Sequence, residues 1–151
     1  MYEQIAAINA LETYVTEISE KSPEHPVKLI IIDSLAFHYR HGGDYAGRTK
    51  QLISLSQQLH KLASKYSLAV VITNHMTTRF RKEDKTACLV PALGETWSHL
   101  CSNRLLLYWS NGRREVSLVK SSSRPNDTCQ FAVLNEGVRR VKERANNSSA
   151  S

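Results

Sequence analysis

Cysteine is scarce in this chain, and long apolar runs are missing. Only three cysteines occur among 151 residues, Cys88, Cys101 and Cys129, an odd number, widely spaced and without a CxxC pair. That argues against a structural zinc site and for reduced thiols in a cytosolic or nuclear setting, with the side chains serving as small apolar filler. No apolar stretch approaches the roughly 20 residues that span a bilayer, so no membrane partner is expected. No signal peptide is expected at the start, and no internal repeat is visible. Also missing is any G-x-x-x-x-G-K-[ST] segment, the loop whose backbone N–H groups and lysine cradle nucleotide phosphates.

What is present is basic. Twenty Lys and Arg against fourteen Asp and Glu give a formal charge of +6 and a pI near 9.4. An anionic partner follows, and nucleic acid comes before a membrane surface or an acidic protein. At 41% hydrophobic residues, the chain can bury one core, which suits one domain or one piece of a domain.

The most informative segment is Val27 to Ser34, in which the unbroken aliphatic run Leu29 to Ile32 ends on Asp33. A run without alternation predicts a strand covered on both faces, in the middle of a parallel α/β sheet. A carboxylate at the C-terminal tip of such a strand lies where open α/β sheets bind ligands. This is the Walker B arrangement, in which the Asp holds Mg²⁺ through water beside nucleotide phosphates. The plainer alternative is a buried strand that leaves through an Asp-Ser turn.

Around that strand the pattern is regular. Ile5, Ile8, Leu11, Val15 and Ile18 predict one amphipathic helix over residues 1–20, stopped by the proline-bearing loop 22–26. His41-Gly42-Gly43-Asp44 predicts a flexible loop with Asp44 as N-cap, followed by a helix from about Tyr45 to Lys65. In that helix Leu52, Leu55, Leu59, Leu62 and Tyr66 form a core-packing stripe. Leu68 to Asn74 predicts a second buried strand. One right-handed crossover then brings Asp33 and Thr73-Asn74-His75 to the same edge. Residues 76–91 are polar, basic and without periodicity, which predicts a long functional loop. Leu93 to Leu100 predicts a short helix. Residues 104–109, 115–120 and 129–134 predict an antiparallel meander whose first hairpin turns at Asn111-Gly112, a type I′ signal. The Ser/Asn-rich tail is expected to be disordered, giving a domain over 1–142 and a tail over 143–151.

The order of these pieces resembles the second half of the RecA-type recombinase ATPase core. Leu29-Ile30-Ile31-Ile32-Asp33-Ser34 and Ala69-Val70-Val71-Ile72-Thr73-Asn74 carry the match. So do Pro91-Ala92-Leu93-Gly94-Glu95-Thr96-Trp97-Ser98-His99 with Arg104, and Lys120-Ser121-Ser122-Ser123-Arg124-Pro125. The Pro-Ala-Leu-Gly-x-x-Trp block is similar to the paralogues of the eukaryotic strand-exchange recombinase. Phe37-x-x-Arg40-His41, Met76-Thr77-Thr78 and Leu89-Val90 look most like the C-type paralogue. The resemblance implies the C-terminal part of a RecA-like core, parallel central strands extended by an antiparallel meander. It also implies that the phosphate cradle and catalytic glutamate lie upstream, so the chain is expected to be a fragment opening before Walker B.

The resemblance further implies roles for individual residues. Asp33 and Ser34 would stand at the Mg²⁺ water shell, and ATP and Mg²⁺ would bind only with the upstream half present. Asn74-His75 would lie at the nucleotide switch, where relatives show Asn-Gln; a solvent-facing structural histidine is the alternative for His75. Ser122 and Pro125 would belong to a cap that reaches the nucleotide of a neighbouring subunit. Two loops would bind single-stranded DNA, the first through Arg40, His41 and Arg48. The second would use Arg79, Arg81, Lys82 and Lys85, with Phe80 stacking on a base. A solvated charged loop is the alternative for each. Trp97 and His99 are expected to brace the second loop.

The implied function is that of a subunit in a hetero-oligomer of recombinase paralogues, nuclear or also cytoplasmic. It would bind single-stranded DNA with ATP and load or stabilise the strand-exchange filament in homologous-recombination repair. The alternative is a truncated module that keeps the partner and DNA surfaces but hydrolyses nothing.

Overall fold

A computed structural model describes residues 6, 10–39, 45–81 and 86–141. The chain divides into two compact units, residues 1–100 and 101–151.

The first unit is built on a strand–helix–strand crossover. α1 (Leu11–Lys21) leads into β1 (Leu29–Ile32), the short α2 (Leu35–Tyr39), the long α3 (Tyr45–Tyr66) and β2 (Ala69–Ile72). β1 and β2 pair in parallel, Leu29 with Ala69 through Ile32 with Ile72. Val15 of α1, Ile30 of β1, Leu62 of α3 and Leu68 form the buried centre, with Leu11, Val27, Ile32, Ala63, Tyr66 and Val70 packed against it. Leu52, Leu55, Leu59 and Leu62 are all buried, so the leucine stripe of α3 is its core face. Two polar contacts clasp α1 to the end of α3. Lys65 Nζ lies 2.9 Å from Glu12 Oε1, and the Thr16 and Tyr66 hydroxyls are 2.5 Å apart.

α3 ends through a left-handed residue. Ser67 has φ +50, and the Leu68 N–H donates to the Ala63 carbonyl at 3.1 Å, closing the final turn. Glycine normally fills this position, because a side chain is strained there.

Two expectations need correction, and one helix was not expected. Leu29, Ile31 and Val71 are exposed, so the described residues cover only one face of the β1–β2 pair. Odd and even positions of an aliphatic strand point to opposite faces, and α1 and α3 pack on the Ile30 side alone. The long loop expected over 76–91 is instead an antiparallel hairpin, β3 (Met76–Phe80) with β4 (Ala87–Pro91). α2 is a helix that the sequence pattern does not announce. The described part of the first helix is Leu11–Lys21, its bonding reaching back from Ala10 to Ala6. The rest of that predicted helix, the predicted cap Asp44 and the tail beyond Val141 lie outside the described residues. α4 (Gly94–Leu100) completes the unit, with Leu93 and Trp97 buried and Leu100 O held by His60 Nε2 at 3.1 Å.

The second unit is a four-stranded antiparallel meander, β5 (Arg104–Ser110), β6 (Arg113–Lys120), β7 (Asp127–Leu134) and β8 (Gly137–Arg140), in that order. Asn111 (φ +49) and Gly112 (φ +73) turn its first hairpin, the two positive dihedrals of a type I′ turn. β8 adds a strand beyond the three expected, entered through Gly137 at φ +104.

Candidate functional site

The edge where β1 and β2 end is held by three hydrogen bonds. The Thr73 N–H donates to the Ile32 carbonyl at 3.0 Å, and the Leu35 N–H donates back to the Thr73 carbonyl at 3.2 Å. Between them the Thr73 hydroxyl donates to Asp33 Oδ1 at 2.5 Å. Ser34, Leu35 and Ala36 are buried directly behind and anchor the turn, whose Asp33–Ser34 peptide is cis. Asp33 stays exposed. Its carboxylate is therefore an accessible oxygen donor with its orientation fixed by a neighbouring strand, the chemistry that suits a hydrated Mg²⁺. Thr73 is the residue that sequence reasoning leaves out of the site. The signal is there, because the parallel register that pairs Ile32 with Ile72 puts the next residue of each strand side by side.

Asn74 and His75 continue from that edge. Asn74 Oδ1 accepts the His75 N–H at 2.9 Å, and the His75 carbonyl accepts the Ala92 N–H at 2.8 Å. The second bond closes the base of the β3–β4 hairpin, so the hairpin springs directly from the Asp33–Thr73 edge. Asn74 is half-buried and His75 exposed.

The hairpin pairs Met76 with Pro91, Thr78 with Leu89 and Phe80 with Ala87, the Arg81 N–H reaching the Thr86 carbonyl at 2.9 Å. Strand alternation divides it into two faces. Thr77, Arg79 and Arg81 lie on one, with Cys88 and Val90 across from them. Met76, Thr78 and Phe80 lie on the other, with Leu89. Phe80 is 72% exposed and Leu89 70%. Trp97 is buried in the same unit, whereas His99 is exposed and does not fill the core.

The remaining expected residues are placed as follows. Arg48 lies in the first turn of α3 and is half-buried, not on a loop. Arg40, His41, Lys82 and Lys85 lie outside the described residues. Ser122 and Pro125 are exposed in the connection after β6, in the second unit. There Ser121 Oγ donates to Asn103 Oδ1 at 2.8 Å and accepts the Ser123 N–H at 3.3 Å. Burial pushes the Cys101 thiol up from its ordinary value, while the nearby Arg104 and Lys120 pull it down. Among the described residues no group of three or more His, Cys, Asp or Glu gathers for a metal, and no helix is long and apolar enough to cross a membrane.

Comparison with known proteins agrees with this geometry. The Rad51 family model matches residues 2–141, so the chain belongs to the Rad51 family and carries its RecA-like, mixed parallel and antiparallel α/β fold. It is 41% identical over 123 residues to DNA repair protein RAD51 homolog 3 of Cricetulus griseus, covering 81% of this chain and 33% of that protein. It is 40% identical over 116 residues to the protein of the same name in Dictyostelium discoideum, covering 76% and 30%. A DNA repair protein XRCC3 homolog of Arabidopsis thaliana is 28% identical over 144 residues, covering 82% and 46%. Similarity is thus higher to the homolog 3 relatives, matching the C-type resemblance of the sequence blocks. The chain spans about a third of the length of these homolog 3 relatives.

Proposed function

We propose that this chain serves homologous-recombination DNA repair as the C-terminal part of a RecA-like core in a recombinase paralogue, partnered by other paralogues. Its own contribution is a single-stranded DNA contact made by the β3–β4 hairpin, set beside a carboxylate that takes part in nucleotide binding. The observation that carries this reading is the hairpin's continuity with the Asp33–Thr73 edge through Asn74 and the 2.8 Å bond from Ala92 to His75. Nuclear action follows from the function.

The chemistry divides by residue. Asp33, held by Thr73, would orient a Mg²⁺ water, and Ser34 adds a hydroxyl close by. The metal and ATP supply charge neutralisation and the hydrolysable bond when bound. The phosphates need a backbone cradle and a lysine, and this sequence has no such loop. A second reading is a binding module that keeps the DNA and partner surfaces but hydrolyses nothing, and a phosphate loop encoded ahead of Met1 would decide against it. Arg79 and Arg81 would neutralise phosphates with little base reading, aided by Lys82, Lys85, Arg40, His41 and Arg48. Phe80 would stack on an unpaired base from the opposite face. Ser122 and Pro125 would cap the nucleotide of a neighbouring subunit.

Fluorescence anisotropy with labelled single strands of unrelated sequence tests the DNA contact. Arg79→Ala with Arg81→Ala is expected to lower affinity by a similar factor for every sequence. Unchanged binding at low salt would remove the hairpin from the interface.

A further inference from the structure

His75 precedes β3 yet belongs to the pairing of the hairpin. The Ala92 N–H donates to the His75 carbonyl at 2.8 Å, one residue beyond the Met76–Pro91 pair. His75 and Ala92 therefore form the lowest row of the hairpin. Directly paired residues share a face, and every second row returns to it. Thr77 with Val90 and Arg79 with Cys88 follow on the face of His75, and Arg81 with Thr86 completes it. One strand thus presents His75, Thr77, Arg79 and Arg81, all exposed. The other presents the shorter Ala92, Val90 and Cys88, all half-buried, and then Thr86. No acid stands on this face among the described residues.

Such a row is a track for a chain of anions. Side chains on one face of a strand recur about every 6.8 Å, comparable with the phosphate repeat of an extended single strand. Arg79 and Arg81 carry fixed charges. Imidazole is the side chain whose charge ordinarily changes between pH 5 and 8. The neutral ring donates from one nitrogen, whereas the protonated ring donates from both and adds a positive charge. The backbone that carries His75 is held at both ends, its N–H by Asn74 Oδ1 at 2.9 Å and its carbonyl by Ala92. The titratable groups on the elements that meet this strand are Asp33 after β1, Cys88 on β4, and Glu95 and His99 on α4, which packs against β4. Of these, Cys88 lies on the hairpin face of His75, with its thiol donating to the Arg79 carbonyl at 3.4 Å.

We propose that His75 is a proton-dependent phosphate contact, a third cation in line with Arg79 and Arg81, which tightens single-stranded DNA binding as pH falls. This rests on the DNA reading of the hairpin and adds a pH response to it. It assigns to the nucleic-acid backbone an imidazole whose place in the sequence relates it to the nucleotide.

Fluorescence anisotropy of the 151-residue chain with labelled oligothymidylate tests this at about pH 5.5 and about pH 8, near the two ends of the imidazole range. Thymine and phosphodiesters take up no proton there, and with no nucleotide present, nucleotide sensing cannot produce the response. The slope of log affinity against log salt is expected to be steeper at the acid pH, with His75 supplying about 0.7 of the step. His75→Gln is expected to remove that share and to keep the alkaline slope. His75→Lys is expected to steepen the alkaline slope by about the same 0.7, because its charge is permanent. His25→Gln, in the exposed loop after α1, is expected to keep the whole step. Far-ultraviolet circular dichroism should be the same for all of them. No step in the unaltered chain, or a step undiminished by His75→Gln, would overturn the proposal while leaving the arginine contact in place. If Arg79→Ala with Arg81→Ala binds as the unaltered chain does, the DNA reading of the hairpin falls and this proposal falls with it.

Discussion

The hydroxyl of Thr73 donates a 2.5 Å hydrogen bond to the carboxylate of Asp33, joining the ends of two parallel strands that lie 40 residues apart in sequence. The bond fixes one oxygen of an exposed carboxylate and leaves the group accessible. Thr73→Val keeps the shape of the side chain and removes the donor. It is expected to lower stability by roughly 0.5–1.5 kcal/mol, the ordinary worth of such a bond, in urea unfolding. Thr73→Ser, which keeps the hydroxyl, is expected to lose less. Equal loss in both variants would show that the methyl group matters and the bond does not.

The chain alone is expected neither to bind ATP tightly nor to turn it over, since no lysine-bearing phosphate cradle accompanies Asp33 in this sequence. Isothermal titration with Mg·ATP and a phosphate-release assay check this. Turnover that Asp33→Ala abolishes would contradict it.

Ser67 holds a positive φ at the end of α3 with a side chain that disfavours it. Ser67→Gly is expected to raise stability by about 1 kcal/mol, because the left-handed conformation loses its steric penalty. Denaturant midpoints of the two proteins measure the change. A destabilised glycine variant would mean that the Ser67 side chain supports the cap.

The Glu12–Lys65 pair sets a pH dependence with a definite sign. Hydrogen bonding and charge attraction from Lys65 lower the Glu12 pKa from 4.5, and the same contact with Glu12 raises that of Lys65 from 10.5. A lowered carboxylate contributes stability that is full above its unfolded pKa and fades as pH falls through the folded one. A raised ammonium contributes below its unfolded pKa and fades as pH rises through the folded value. Both groups are exposed, so the effect is small and screened by salt. NMR titration of Glu12 in Lys65→Met is expected to show its pKa moving up toward 4.5. An unmoved titration would mean that the pair does not form in solution.

Much of this architecture is legible in the residues. Two unbroken aliphatic runs around a leucine stripe at helical spacing specify a parallel crossover, and the crossover alone brings Asp33 beside Thr73. Asn111-Gly112 specifies its turn because few residues accept two positive φ values. Burial is harder to read. Leu29 and Ile31 look identical in sequence to Ile30 and Ile32, yet only the second pair meets α1 and α3. The β3–β4 hairpin is hidden for a different reason: threonine and arginine share β3 with Met76 and Phe80, and both faces are largely exposed. No apolar alternation betrays a strand with no core beneath it. β8 is equally hard to see, because four residues ending in two arginines carry almost no hydrophobic signal. Register, not composition, separates Phe80 from Arg79 and Arg81, and that separation matters most for nucleic-acid binding.

Opposite faces imply separable roles, and the salt dependence of single-stranded DNA affinity measures them most directly. Log affinity against log salt should be determined for the unaltered chain, for Arg79→Ala with Arg81→Ala, and for Phe80→Ala. Each phosphate that is no longer neutralised is expected to flatten the slope by about 0.7, so the double arginine variant should flatten it by up to twice that. Phe80→Ala is expected to weaken binding by roughly 1–3 kcal/mol at every salt concentration with the slope unchanged. If the arginine variant keeps the affinity and slope of the unaltered chain, the hairpin is a solvated connector and the DNA contact lies elsewhere.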